Sequence, residues 1–178
     1  MTIMGWLKSQ LQLLTASVSG YATNAKAVHL YECGKDYYRR GERDRAFPYF
    51  DEAIGLNPTV ADFFYWRGWS YEHKGQYDRA IADFSEAIRL DPNGDTPNAE
   101  GYGRGVYFQC RAEAYLLIGQ GDRAIADFNE MLRLAPDYWH GYTLRANAYE
   151  AIGEHERALA DREKAEEAEK PVPWRSLA

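Results

Sequence analysis

Small, aromatic and helix-ending residues return along this chain at a fixed interval. Gly34 recurs as Gly68, Tyr37 as Tyr71, Gly41 as Gly75, Ala46 as Ala80, Phe50 as Phe84, Ala53 as Ala87 and Pro58 as Pro92, each 34 residues on. Past Pro92 the register slips by ten residues and resumes. Ala112, Tyr115, Gly119, Ala124, Phe128 and Pro136 mark a third copy, and Ala146, Tyr149, Gly153, Ala158 and Ala165 a fourth. The run Arg-Ala-Ile-Ala-Asp-Phe that begins at Arg79 returns unchanged at Arg123. Each copy predicts two short helices. Gly41, Gly75, Gly119 and Gly153 fall where a first helix stops, a position glycine takes readily because it has no Cβ to clash. Pro58, Pro92 and Pro136 close the second helix, since proline lacks the N–H that would continue it. Between these stops the small residues let the two helices approach, the tyrosines fill the space between them, and Phe50, Phe84 and Phe128 are expected to pack against the next copy. One such hairpin cannot cover its own apolar face, whereas stacked copies can.

This pattern resembles the tetratricopeptide repeat, a 34-residue helix–turn–helix unit with small, aromatic and proline signature positions. The wording around Arg79 and Arg123 is similar to that of bacterial members. The resemblance implies an all-α fold: an α-solenoid, a right-handed superhelix of about four repeats over residues 27–170. The expected repeats are about 27–60, 61–94, 105–138 and 139–170, with an insertion at about 93–104. Residues 1–26 are expected to form an N-terminal amphipathic capping helix and linker, and 171–178 a flexible C-terminal tail.

Some residues depart from the pattern. Pro48 lies inside a second helix, where it removes a backbone bond, so that helix is expected to start late, near Asp44, or to kink. Arg162 stands where other copies have Phe, and residues 154–170 are strongly charged; a terminal repeat needs such a polar outer face. Ile3, Trp6, Leu7, Leu11, Leu14 and Val18 form an apolar stripe at helical spacing. It fits a helix covering the open end of repeat 1, and also a membrane-surface helix, a partner-docking helix or a weak export signal. Gly101, Gly103 and Gly105 have a superficial likeness to a phosphate loop, but no strand precedes them.

Composition narrows the function. The 178 residues carry a net charge of −6, which argues against a nucleic-acid partner. No run of about 18 apolar residues predicts a membrane-spanning segment. Cys33 and Cys110 cannot build a disulfide framework and fit reduced thiols. Polar residues interrupt the apolar run at 11–18, so a cytoplasmic location is expected, with export to the periplasm as the alternative. His29 and Cys33 are four residues apart, but a structural zinc site needs about four ligands. No nucleophile motif occurs. Asp83 with Arg79, and Asp127 with Arg123, read as i,i+4 pairs on solvated faces. No catalytic residue, metal ligand or cofactor is assigned.

In the resembled family the first helix of each repeat lines a concave groove. By that analogy the groove positions are Val28, Tyr31, Lys35, Tyr38 and Arg39 in repeat 1, and Asp62, Tyr65, Trp69, Glu72 and His73 in repeat 2. In repeat 3 they are Val106, Gln109, Glu113, Leu116 and Leu117, and in repeat 4 His140, Thr143, Asn147, Glu150 and Ala151. Rings beside cations are usual binding hot spots. Tyr31, Lys35, Tyr38, Arg39, Tyr65, Trp69, His73 and Gln109 are therefore the candidate peptide-binding residues, with a preference for an acidic or C-terminal carboxylate group. The alternative is that these rings pack against the N-terminal helix or the C-terminal tail. The family's carboxylate clamp is not expected, because its positions read Tyr31, Lys35, Trp66, Val106 and Cys110. The expected function is a non-catalytic scaffold or adaptor that binds a protein segment, and a homo-oligomer is compatible with it. The competing readings are an exported or envelope-associated scaffold assembling through its N-terminal helix, and an enzyme or metal-binding protein.

Overall fold

The computed structural model describes residues 3–93 and 105–169, with the side chains of 3–18 and Ala168 left out. Eight helices and no strand occur among them: α1 (Ile3–Arg39), α2 (Arg43–Leu56), α3 (Ala61–His73), α4 (Tyr77–Leu90), α5 (Val106–Leu117), α6 (Gly121–Leu134), α7 (Trp139–Ala151) and α8 (His155–Glu169). They pair as hairpins α1/α2, α3/α4, α5/α6 and α7/α8, and each hairpin packs on the next through α2/α3, α4/α5 and α6/α7. This is an α-solenoid. Insertion residues 94–104 and tail residues 170–178 lie outside the described residues, and with them Gly101 and Gly103.

The predicted stops occur where the pattern put them. Gly41, Gly75, Gly119 and Gly153 all have positive φ, between 69° and 83°. The residue after each glycine donates its N–H to the carbonyl of the signature tyrosine five positions back: Glu42 to Tyr37 at 3.0 Å, Gln76 to Tyr71 at 3.0 Å, Gln120 to Tyr115 at 2.8 Å and Glu154 to Tyr149 at 2.9 Å. These bonds satisfy carbonyls that a helix end would otherwise leave open. The acidic residues Asp44, Asp78 and Asp122 sit in the first turn of the second helices, where the helix dipole favours them.

Packing inside each hairpin is tighter than the small-residue signature alone suggests. A Cβ on Gly34 would lie 2.6 Å from Phe50 Cε1, and one on Gly68 would lie 2.7 Å from Phe84 Cε1. The phenylalanines thus press on their own hairpin's first helix. Phe50 also stacks with Trp66 of the next repeat, centroids 6.1 Å apart. Phe50, Phe84 and Phe128 are fully buried.

Three expectations are corrected. First, α1 runs unbroken from Ile3 to Arg39, so residues 1–26 do not end in a linker before repeat 1. Neither proline nor a left-handed glycine interrupts it before Gly41. Asn57 donates to Asn24 at 2.7 Å and Lys26 pairs with Glu52 at 2.7 Å, which places the end of α2 beside Asn24 and Lys26. The earlier turns of α1 therefore run on past α2. Second, α2 begins at Arg43, the repeat position of Tyr77 and Gly121 in α4 and α6, and passes through Pro48. Pro48 is exposed, so water can reach the carbonyl its ring leaves unbonded.

Third, the Arg79–Asp83 and Arg123–Asp127 neighbours are not pairs. Asp83 and Asp127 are buried and belong to Arg67 and Arg111, sixteen residues earlier in the preceding helix. Arg79 and Arg123 instead lie over the rings of Tyr71 and Tyr115, each 5.6 Å from the centroid. The fourth hairpin repeats the arrangement with Arg145 and buried Asp161. On α8, Arg162 is exposed and bonds back to Glu150 at 3.1 Å.

Candidate binding groove

The first helices of repeats 1 to 3 meet along one face, in layers. At one end the Asp62 carboxylate, at the start of α3, accepts the Tyr107 hydroxyl of α5 at 2.7 Å and the Tyr31 hydroxyl of α1 at 3.4 Å. One buried carboxylate thereby joins three helices. Burial raises the Asp62 pKa, while the two hydroxyls and nearby Lys35 pull it back. Burial, with Asp62 close by, raises both phenols. Lys35 is 1% exposed; its Nζ sits 4.4 Å over the Tyr31 ring and 2.9 Å from Glu32.

The next layer is aromatic. Tyr65 packs edge-on against Tyr107 at 5.4 Å and Trp66 at 5.9 Å. Tyr38 meets the edge of Trp66 at 5.2 Å. Farther along, Trp69 donates its indole N–H to Cys110 Sγ at 3.1 Å, pinning α3 to α5. Cys110 is buried, which pushes its thiol up. Beyond this contact the face turns polar. Gln109 donates to Glu113 Oε1 at 3.0 Å. Burial and then Glu113 lift the Glu72 carboxyl to about 7. His73 is held below its ordinary value by burial and by Arg43.

The candidate residues therefore divide. Tyr31, Lys35, Tyr38 and Tyr65 were expected to line an open groove, but they are buried core residues. Rings on adjacent first helices sit opposite one another and close the gap between them. Among the described residues they are packed by Phe50, Phe63, Trp66 and Tyr107, not by the N-terminal helix as a separate cap. Trp69 and Gln109 are half-buried, and His73 and Arg39 are exposed. Arg39 lies 3.8 Å from Asp36. Sequence reasoning passed over Tyr107 and weighed Trp66 only as a clamp position, yet these are partners that bury the rings. Both are aromatic at positions outside the repeat signature, which was the available signal. His29 and Cys33 do meet, at 3.7 Å, but no third His, Cys, Asp or Glu joins them among the described residues.

Comparison with known proteins agrees with this architecture. The tetratricopeptide-repeat family model matches residues 31–95. No curated protein matches the chain. Among solved structures, a crystal structure of MamA superposes with a TM-score of 0.72 at 21% identity, covering 95% of each chain. MamA from Desulfovibrio magneticus RS-1, residue 41 to its end, gives 0.70 at 22% identity, over 81% of this chain and 76% of that one. The first tetratricopeptide domain of Spaghetti (RPAP3), bound to the HSP90 peptide SRMEEVD, gives 0.64 at 19% identity, over 72% of this chain and 94% of that one. Four hairpins closed by the signature tyrosine and glycine give the chain a tetratricopeptide-like architecture, and the family model matches it across the first two hairpins, residues 31–95.

Proposed function

We propose that the chain is a non-catalytic adaptor that holds an extended segment of another protein against the face shared by α1, α3 and α5. The observation that carries this reading is the composition of that face beyond the Trp69–Cys110 contact. Trp69, Glu72, His73, Gln109 and Glu113 are partly or fully accessible there, on helices held rigidly by the Tyr31–Asp62–Tyr107 junction. Repeat packing does not require polar groups at these positions, whereas a partner-binding surface does. The RPAP3 domain with its bound peptide SRMEEVD supports peptide binding as a use of the fold, but not the same ligand. Trp66 and Cys110, at clamp positions, are buried, and Lys35 is engaged by Glu32 and Tyr31. The reading places the protein in the cytoplasm, supported by two unpaired cysteines.

The test compares partners captured from lysate by three versions of the protein. Wild type and a control with Arg89→Ala on exposed α4 are expected to retain the same partner. Gln109→Arg/His73→Glu, with helical circular dichroism unchanged, is expected to lose it. Equal capture by the groove variant would remove the reading.

A further inference from the structure

The groove contains two acids that face each other without a cation between them. Trp69 on α3 touches Cys110 on α5 at 3.1 Å. Glu72 and Glu113 each lie three residues farther along their helices, which puts them on the same faces about one turn beyond that contact. Both are half-buried. Neither makes an ion pair among the described residues, and Gln109 occupies only one Glu113 oxygen. Of the nearby cations, Arg43 sits at the Tyr38 edge of the site, 5.4 Å from that ring's centroid, and Lys35 is held by Glu32.

A second, independent feature opens on the same place. Tyr38 is 8% exposed, and its hydroxyl is buried without a hydrogen-bond partner. Its ring lies 6.1 Å from Trp69 and 5.7 Å from His73; burial raises its phenol, Arg43 pulls it back, and Glu72 adds to the rise. A buried hydroxyl left unmatched ordinarily marks a place where another polar group belongs. Two carboxylates brought together in a partly buried site oppose one another, and a cation between them relieves both. The indole of Trp69 adds a face suited to a cation.

We propose that the stretch of this face marked by Tyr38, Trp69, Glu72 and Glu113 receives a basic side chain, arginine or lysine, from the bound polypeptide. A guanidinium is the better fit because its planar fork can reach two carboxylates while lying along an aromatic face. This inference rests on the groove reading above and names its ligand class. It replaces the acidic preference expected from Lys35 and Arg39, because Lys35 is buried and engaged and Arg39 lies beside Asp36, while Arg67 and Arg111 are taken up by Asp83 and Asp127 and leave Glu72 and Glu113 as charges of α3 and α5 without an ion pair among the described residues.

The test is an NMR titration of the ¹⁵N-labelled full chain at neutral to mildly basic pH, following the Trp69 indole N–H. The probes are the blocked peptide Gly-Ser-Arg-Ser-Gly and its versions with lysine, glutamate or norleucine at the centre. Saturable shifts are expected with arginine, weaker ones with lysine, and at least tenfold weaker binding with glutamate or norleucine. Glu72→Gln and Glu113→Gln should each weaken the arginine peptide several-fold with circular dichroism unchanged. The two single variants are separate routes should either one fail to fold. Binding of the glutamate or norleucine peptide as tight as that of arginine overturns the basic ligand and leaves the groove reading standing. An arginine affinity indifferent to both substitutions does the same. If no peptide shifts any resonance of α1, α3 or α5, the proposal falls; the groove reading falls with it only if Gln109→Arg/His73→Glu also leaves partner capture intact.

Discussion

Arg67 donates from Nε and Nη2 to the two carboxylate oxygens of Asp83, both at 2.8 Å. Its remaining arm reaches Asp51 of the preceding repeat at 2.7 Å. Arg111 does the same with Asp127 and, across the repeat boundary, Ser85 at 2.9 Å. Arg145 does so with Asp161 and Asn129 at 2.6 Å. Each arginine therefore ties its own hairpin together and joins it to the one before, contributing both the internal and the nearest-neighbour terms of a repeat stack. Repeat 1 has Cys33 and Tyr49 at the corresponding positions, so it lacks the pair.

Arg111→Met should destabilise the fold by about 3–5 kcal/mol in urea unfolding, because it strands the buried Asp127 carboxylate. Arg111→Met/Asp127→Leu should recover much of that loss, since removing both charges leaves neither unpaired. Arg123→Ala, on the exposed stack over Tyr115, should change stability by less than about 1 kcal/mol. If the Arg111 and Arg123 variants behave alike, the buried pair contributes no more than a surface contact.

The 34-residue period was legible because packing imposes it. Glycine must end each first helix, and a small residue must face each phenylalanine. The arginine–aspartate pairs were equally periodic but were read at the wrong separation. Helical spacing directs attention to Arg79 and Asp83 within one helix, while the true partner lies across the hairpin turn, sixteen residues away. The groove was legible as a set of positions but not in its exposure. Whether Tyr31 or Tyr65 lines a surface depends on what the adjacent first helix places opposite, here Phe63 and Tyr107. That is a relation between repeats, and a position within one repeat does not contain it.

The Asp62 junction makes a second prediction. Tyr107→Phe removes the 2.7 Å bond to a buried charged acceptor and should lower stability by about 1–3 kcal/mol. Tyr31→Phe, losing a contact at 3.4 Å, should lower it less. Urea midpoints for the two variants measure the order directly. The reverse order would mean that Tyr31, not Tyr107, carries the junction.

Gly68 offers a test of hairpin packing. Alanine there would set its Cβ 2.7 Å from Phe84 Cε1, so Gly68→Ala should destabilise by about 1–3 kcal/mol through overpacking. Phe84→Leu creates space and should itself be destabilising. In the double variant the two effects should partly cancel, giving a coupling energy that a double-mutant cycle resolves. Additive effects would mean that the two side chains do not compete for one volume.

The acids in the groove predict a pH dependence of a specific sign. Burial and Glu113 lift the Glu72 carboxyl to about 7, above the value of about 4.3 for an unfolded glutamate. The folded chain then holds this proton more tightly than the unfolded one. The stability linked to it is complete below about pH 4.3 and is lost as the pH rises through 7. Glu72→Gln carries no proton to lose. Relative to wild type, the variant should therefore gain stability between pH 5 and pH 8, on the order of 2 kcal/mol given partial solvent access and coupling to Glu113. Glu113→Gln should shrink the effect by removing the like charge while leaving the burial contribution. Thermal or urea unfolding at the two pH values reads the difference. A gap that stays constant with pH, or one that narrows on raising it, would show that the two carboxylates do not oppose each other across α3 and α5.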